Sequence, residues 1–302
     1  MKSLNSIKKN SGLYVLILPA VILSFCFAYK PMYGILIAFK DYKNSLGIMG
    51  SPWSQPLLKN FTKFFNSYQF GTTIRNTLGL SFYSLLAMAP LPVIMALVLN
   101  QMRRRAFKRV FQTITYLPHF ISTVVIVGML LIMLSPSSGL IGNVYRLFGA
   151  EAPNLMGRAA AFSSVYVWSD VWQHTGWDSI IYLAALSAVD PALYEAATVD
   201  GASRWQRLWY IDLAMLLPTA CILLIMRAGN IMNVGFEKVY LMQNNLNLSA
   251  SEVISTYVYK IGIISSQYSY SSAINLFNTL VNLVLLVSVN FFSRKFSETS
   301  LW

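Results

Sequence analysis

Charge is what this sequence has least of. Only 11% of its 302 residues are Asp, Glu, Lys or Arg, against roughly a quarter in a water-soluble domain, too few to cover a surface facing water. Acids are scarcest, 11 against 23 Lys and Arg, and there are two histidines and two cysteines. Cys26 and Cys221 each sit in an apolar run, without metal-ligand spacing or a disulfide signature, and read as small buried hydrophobes. No Gly is followed by Lys, which excludes a Walker A phosphate loop and ATP hydrolysis by that route. HExxH, CxxC and GxSxG are missing too, so zinc-protease, thiol-redox and serine-hydrolase chemistry have no motif to stand on. There is no repeat, low-complexity tract or polar linker, which leaves one domain.

Apolar length is what remains. Hydrophobic residues make up 56% of the chain and mean hydropathy is +0.53. Uncharged runs at 10–29, 76–102, 111–145 and 261–293 each reach the ~20 residues that cross a ~30 Å hydrocarbon layer. The pattern predicts an all-α membrane protein with six transmembrane helices, near 12–29, 74–99, 110–134, 162–189, 213–234 and 273–292. The first is expected to run on past Pro31 through MYGILIAF, and the second to bend at Pro90 and Pro92. The N-terminus has the charge order of a signal peptide, but its apolar run outlasts an h-region of roughly 7–15 residues and reads as a retained span.

The formal charge of +12 has two readings. A nucleic-acid surface would gather its cations, whereas here they are scattered between spans except for Arg103, Arg104, Arg105, Lys108 and Arg109. A basic cluster abutting a span reads first as a cytoplasmic topology anchor. With both termini inside, Lys2, Lys8, Lys9, that cluster, Arg204, Arg207, Arg294 and Lys295 fall on short inner segments. Most other basic residues, Lys238 among them, are diluted over longer outer segments near 40–73, 135–161 and 235–272, and short segments dominate orientation. The expected plan is a cytoplasmic tail at 1–11, one membrane domain at 12–293 and a cytoplasmic tail at 294–302.

One inner segment, 190–212, abandons the thrift with charge. Asp190 and Pro191 form an N-cap followed by proline at the first helical position. Gly201 ends that helix by accepting a left-handed conformation, and Ser203 with Gln206 makes a capping box that opens a second helix. Ala196 and Ala197 leave a bare face. An amphipathic loop on lipid headgroups should carry excess Lys and Arg. Here Asp190, Glu195, Asp200 and Asp212 face two arginines, which favours a protein partner over the lipid surface.

The stretch EAATVDGASRWQRLWYIDL resembles the EAA motif of binding-protein-dependent ABC importer permeases. Glu195, Ala196, Ala197, Gly201, Ile211 and Leu213 fall on its spacing, while Ala214 stands at its proline position and Pro218 lies four residues later. PMYGILIAFKDY, GSPW, YLPHFIS, LSPSSGLI, NVGFE and the terminal SLW are similar to the oligosaccharide- and polysaccharide-uptake branch of type I sugar importers, and within it to the MalF-like partner. The resemblance implies a second, non-identical permease, a cytoplasmic ATPase dimer that uses ATP and Mg, an extracytoplasmic sugar-binding protein and an oligosaccharide cargo. It implies no cofactor on this chain. Carried over by position, Glu195, Ala196, Ala197, Asp200, Gly201 and Arg204 would meet the ATPase.

Candidates for the cargo path come from polar groups inside spans, which generally face a bundle interior or a water-filled cavity. In the fourth span Asp170, His174 and Asp178 recur every four residues on one face. Trp168 and Trp172 share a neighbouring face, with Gln173 and Trp177 nearby. Aromatic plates and amides suit sugar faces and hydroxyls, but the same residues also serve interhelical packing and interfacial belts. Arg227, Asn230 and Asn233 stripe the fifth span, and Asn275, Asn278 and Asn282 the sixth. Arg227 calls for a carboxylate, carbonyls or water, or an acidic sugar. His119 reads as structural.

Two other classes stay on the table from sequence. An ion-coupled secondary transporter could use Asp170, His174 and Asp178 as a relay, though no internal repeat is seen. A membrane enzyme acting on lipid-linked sugars should show a catalytic acidic or metal motif in a loop.

Overall fold

The computed structural model describes residues 10–297. The expected tails at 1–11 and 294–302 therefore fall largely outside the described residues, Lys2, Lys8, Lys9 and SLW entirely so. Every regular element described is helical, and one isolated antiparallel bridge joins Lys40 and Trp53.

Helix α1 spans Ser11–Phe39. It widens to π geometry at Phe25–Tyr29 and tightens to a 3₁₀ helix at Tyr33–Phe39. Pro31 explains the first change, since it supplies no N–H for the preceding turn and crowds its carbonyls. Helix α2 is Tyr68–Gln101, re-started by Pro90 and Pro92 as the PLP pattern predicts. The expected third span is not one helix. It is α3 (Arg105–Phe120) and α4 (Thr123–Met133), set 99° apart. Pro118 cannot donate within the last turn of α3, Ile121 is extended, and the Ser122 hydroxyl caps α4 by accepting from the Val125 N–H.

Helix α5 (Ala159–Ser187) is followed at 69° by α6 (Pro191–Val199). Helix α7 (Arg204–Ala228) begins with a wide turn at Leu208–Leu213, upstream of Pro218. Then come the short α8 (Phe236–Met242) and the long α9 (Tyr268–Ser297). Among the described residues four helices are long and apolar enough to cross a membrane, or six if each bent pair counts as one span.

The chain forms two compact units, one of residues up to Ser67 plus Val258–Phe277, the other of Tyr68–Tyr257 plus the remainder. In the first, Ser11–Ser24 of α1 buries no residue. Cys26, expected to be buried, is exposed on this chain, and Cys221 is half-buried. Beyond α1, Lys40 is buried and donates to the Ile48 and Met49 carbonyls. Hydrogen bonds from Lys59 and Ser54 hold the Asp41 carboxyl below the usual carboxylate range. The aromatic rings of Phe64 and Phe277 pack edge to face.

The second unit carries two apolar cores. Leu80, Phe162, Val167, Val239 and Val253 belong to one, and Ala96, Leu97, Tyr182, Leu186 and Leu216 to the other. Helix α5 runs through both. Gly176 lets α5 and α3 approach, because a Cβ there would lie 2.2 Å from the Thr115 carbonyl oxygen.

Candidate functional site

The segment 190–212 folds as its sequence dictates. The Asp190 side chain accepts from the Ala192 N–H at 2.9 Å, and α6 runs to Val199. Gly201 has φ +77°. Its N–H reaches the Thr198 carbonyl, and the Ala202 N–H reaches Ala197 at 2.8 Å, the paired bonds of a Schellman cap. Both halves of the capping box form: Gln206 N–H to the Ser203 hydroxyl at 3.3 Å, and Ser203 N–H to the Gln206 side-chain Oε1 at 2.7 Å. Arg207 donates to the Thr198 hydroxyl at 2.8 Å and ties the two arms together. Among the described residues, chain neighbours aside, nothing lies within 4 Å of where a Gly201 Cβ would point, so the tip is open.

The base of this hairpin is anchored through Asp212, which is fully buried. Its carboxylate accepts from the Tyr194 hydroxyl on α6 and from Gln101 Nε2, at the end of α2, at 2.9 Å. Burial, and then the hydrogen bond to Asp212, push the Tyr194 phenol up to about 12. Asp212 thus links α6 both to the end of α2 and to the root of α7.

The polar face of α5 finds three different partners. Asp170 accepts from Lys238 Nζ of α8 at 3.1 Å, and Lys238, only 5% exposed, also lies over the Tyr166 ring. His174 Nδ1 shares a hydrogen bond with His119 Nδ1 of α3 at 2.9 Å, and the His119 ring stacks on Trp177 with centroids 4.5 Å apart. Asp178 pairs with Arg227 of α7. Beside this face opens a cavity of about 560 Å³, with Ser84, Tyr166, Asp170, Arg227, Asn230 and Asn233 among its lining. Lys238 is buried and Asp170, Asp178 and Arg227 are partly exposed, and each has a counter-ion within reach to offset its desolvation.

Comparison with known proteins gives this geometry a setting. A family model described as "Binding-protein-dependent transport system inner membrane component" matches residues 88–298. The chain belongs to that family. It is a multi-pass membrane permease subunit of an ABC importer, without a catalytic step of its own. Protein LplB of Bacillus subtilis (strain 168) is 39% identical over 98% of this chain and 93% of its own length. The polygalacturonan/rhamnogalacturonan transport system permease protein YteP of the same organism is 40% identical over 96% of this chain and 90% of its own. A solved bacterial ABC transporter chain, from a system importing the acidic polysaccharide alginate, superposes with a TM-score of 0.91. It is 38% identical and covers 98% of this chain and 100% of that one. The same transporter in complex with an alginate pentasaccharide-bound periplasmic protein gives 0.90 at 38% identity, covering 98% and 99%.

Within the permease, the residues singled out from sequence separate into groups. Glu195, Ala196, Ala197, Asp200, Gly201 and Arg204 come together on the hairpin, all exposed except the half-buried Ala197. Asp170, Arg227 and Asn230 share the polar cavity. Trp177 lines a second recess with Asp178, Tyr182 and Arg227. Trp168 and Trp172 are half exposed beside Ile126, Met129 and Met133 in an apolar recess, and the Trp168 indole N–H donates to the Tyr83 hydroxyl. Gln173 is buried and donates to the Ile121 carbonyl at 2.9 Å, bracing the α3–α4 elbow. Asn278 is buried and donates to Asn233 at 3.0 Å.

Sequence reasoning passed over Lys238 and the anchor formed by Tyr194, Gln101 and Asp212. Lys238 offered no signal, since its partner lies 68 residues away. The Tyr194–Asp212 pair did offer one: the two residues stand on the two arms that the turn at Gly201 folds back on each other, so closing the hairpin can bring them together.

Proposed function

We propose that this permease and a second, non-identical permease form the membrane path for an oligosaccharide delivered by an extracytoplasmic binding protein. A cytoplasmic ATPase dimer, holding ATP and Mg, drives the cycle. In this reading the chain crosses the membrane six times with both termini inside, counting α3 with α4 as one span and taking α6 as the inner arm that follows α5. The tip residues Glu195, Ala196, Ala197, Asp200, Gly201 and Arg204 seat against the ATPase. Asp212 transmits the movement to α2 and α7 through Gln101 and Tyr194. Asp170, Trp177, Arg227 and Asn230 line the cargo path, flanked by Trp168 and Trp172, while Gln173 and Asn278 hold its walls in register.

The observation that carries this reading is the likeness, over 98% of the chain, to a transporter captured with an oligosaccharide-loaded periplasmic protein. That oligosaccharide, and the polygalacturonan of the YteP relative, are acidic, so oligouronides head the cargo panel. The test is reconstitution of both permeases with the ATPase in vesicles, with binding protein loaded with oligouronides or with neutral oligosaccharides. Stimulated ATP hydrolysis and uptake are expected with the former. Uptake that proceeds without the ATPase, or no response to any loaded binding protein, would overturn the proposal.

A further inference from the structure

The chain passes from α2 to α3 through an extended turn; Arg103 and Arg104 stand in it, and Arg105, Lys108 and Arg109 follow on the first turns of α3. Among the described residues none of the five side chains takes part in an ion pair or a hydrogen bond. No Asp or Glu stands anywhere between Asp41 and Glu151 to neutralise them locally. On α3 the apolar side chains Phe107, Val110, Ile114 and Leu117 follow at spacings of three and four, hence along one stripe. All four are exposed. Arg105, Lys108 and Arg109 occupy the opposite side of the same first turns.

The hairpin at 190–212 supplies the contrast. It mixes acids with arginines and is internally bonded, as suits a protein partner that pairs charges in a fixed register. The α2–α3 turn offers charge of one sign only, with a bare apolar stripe beneath it. A fluid anionic surface can meet several like charges at once without any register, and the acyl boundary accepts the stripe. We infer that this turn binds the phosphate headgroups of anionic phospholipid at the inner leaflet, through Arg104, Arg105 and Lys108. Anionic lipid then grips α3, the helix that touches α5 at Gly176 and braces it through His119. The inner-leaflet placement rests on the proposed topology.

The test uses the assembled complex of permeases and ATPase in nanodiscs of phosphatidylcholine with increasing phosphatidylglycerol. Lipid retained on extraction is quantified by mass spectrometry, without sugar or binding protein, so the result is independent of any failure of the transport reading. The wild type should retain phosphatidylglycerol selectively and lose the preference at high salt. The combined Arg104→Gln, Arg105→Gln and Lys108→Gln variant keeps Arg103 and Arg109 as topology anchors and should show a roughly tenfold weaker preference. The combined Arg104→Lys and Arg105→Lys variant should match the wild type. Unchanged phosphatidylglycerol retention in the neutral variant overturns the inference. So does loss of the ATPase from that variant with lipid retention intact, which would assign the cluster to protein docking. Should the neutral variant fail to assemble, native mass spectrometry of the wild type decides: no preference for phosphatidylglycerol over phosphatidylcholine overturns the inference.

Discussion

The inner hairpin and the polar face of α5 are both built from charged side chains in a chain that has few, yet they are held together differently. In the hairpin the bonds that set its shape join residues close in sequence: Ser203 with Gln206, Arg207 with Thr198, and Tyr194 with Asp212 eighteen positions on. Along α5 the pairs span 49 residues from Asp178 to Arg227, 55 from His119 to His174, and 68 from Asp170 to Lys238. The first device can form on its own stretch of chain. The second exists only once α3, α7 and α8 have docked on α5. A part that must move as a lever is thus locally stiff, whereas the wall of the cavity is as stable as the packing of the helices around it.

The comparison can be broken most forcefully at Lys238. Lys238→Met leaves Asp170, partly exposed on the cavity wall, without its cation and should destabilise the permease by about 3 kcal/mol, the low end for breaking a buried pair, seen as a fall in the melting temperature of the purified complex. The double variant Lys238→Met with Asp170→Leu should recover most of that loss, because two apolar groups replace a broken pair. A double variant no better than the single one would show that the pair does not hold α8 to α5.

Next in size is Asp212→Leu. Tyr194 and Gln101 then lose a shared acceptor, at about 1–3 kcal/mol, and the hairpin loses its grip on α2. Transport should fall much further than basal ATP hydrolysis. Parallel loss of both would mean that Asp212 serves folding rather than force transmission.

Gly201 sharpens the contrast from the other side. Its left-handed φ makes Gly201→Ala cost about 1–2 kcal/mol locally, although no described residue obstructs the added methyl. Gly201→Trp should add loss of uptake by obstructing whatever seats against the tip. Uptake by the Trp variant equal to that of the Ala variant would show the tip to be free in the assembly.

The smallest effect is expected for Ser203→Ala. Removing half of the capping box should cost about 1 kcal/mol and leave the α5 network untouched, measured in hydrogen exchange as reduced protection of the α7 root with unchanged protection along α5. A change in protection along α5 would contradict the separation of the two devices.

Much of this was legible before any coordinates. Asp190, Pro191, Gly201, Ser203 and Gln206 announce the hairpin because caps and turns act over three to five residues, and each residue type was chosen by that local geometry. The helices themselves follow from apolar runs that have nowhere to go but lipid. The elbow between α3 and α4 was missed, since hydropathy is continuous across Ile121 and Ser122 even though Pro118 marked the place. Cys26 was misplaced for the same reason: an apolar environment in sequence does not distinguish the inside of a protein from its lipid-facing side. On α5 the shared face of Asp170, His174 and Asp178 was readable from the helical period, but their partners were not.

The amino-acid sequence alone therefore determined that the chain lives in a membrane as helices, that it carries a bent arm at 190–212, and that it has no Walker A signature. These depend on composition and on short-range stereochemistry. Only the tertiary structure decided that Lys238 neutralises Asp170, that Arg227 is met by Asp178, and that Asp212 ties the arm to two helices. Buried charges must be matched by whatever the fold brings within a few ångströms, and that proximity is a property of helix packing, not of neighbouring positions along the chain.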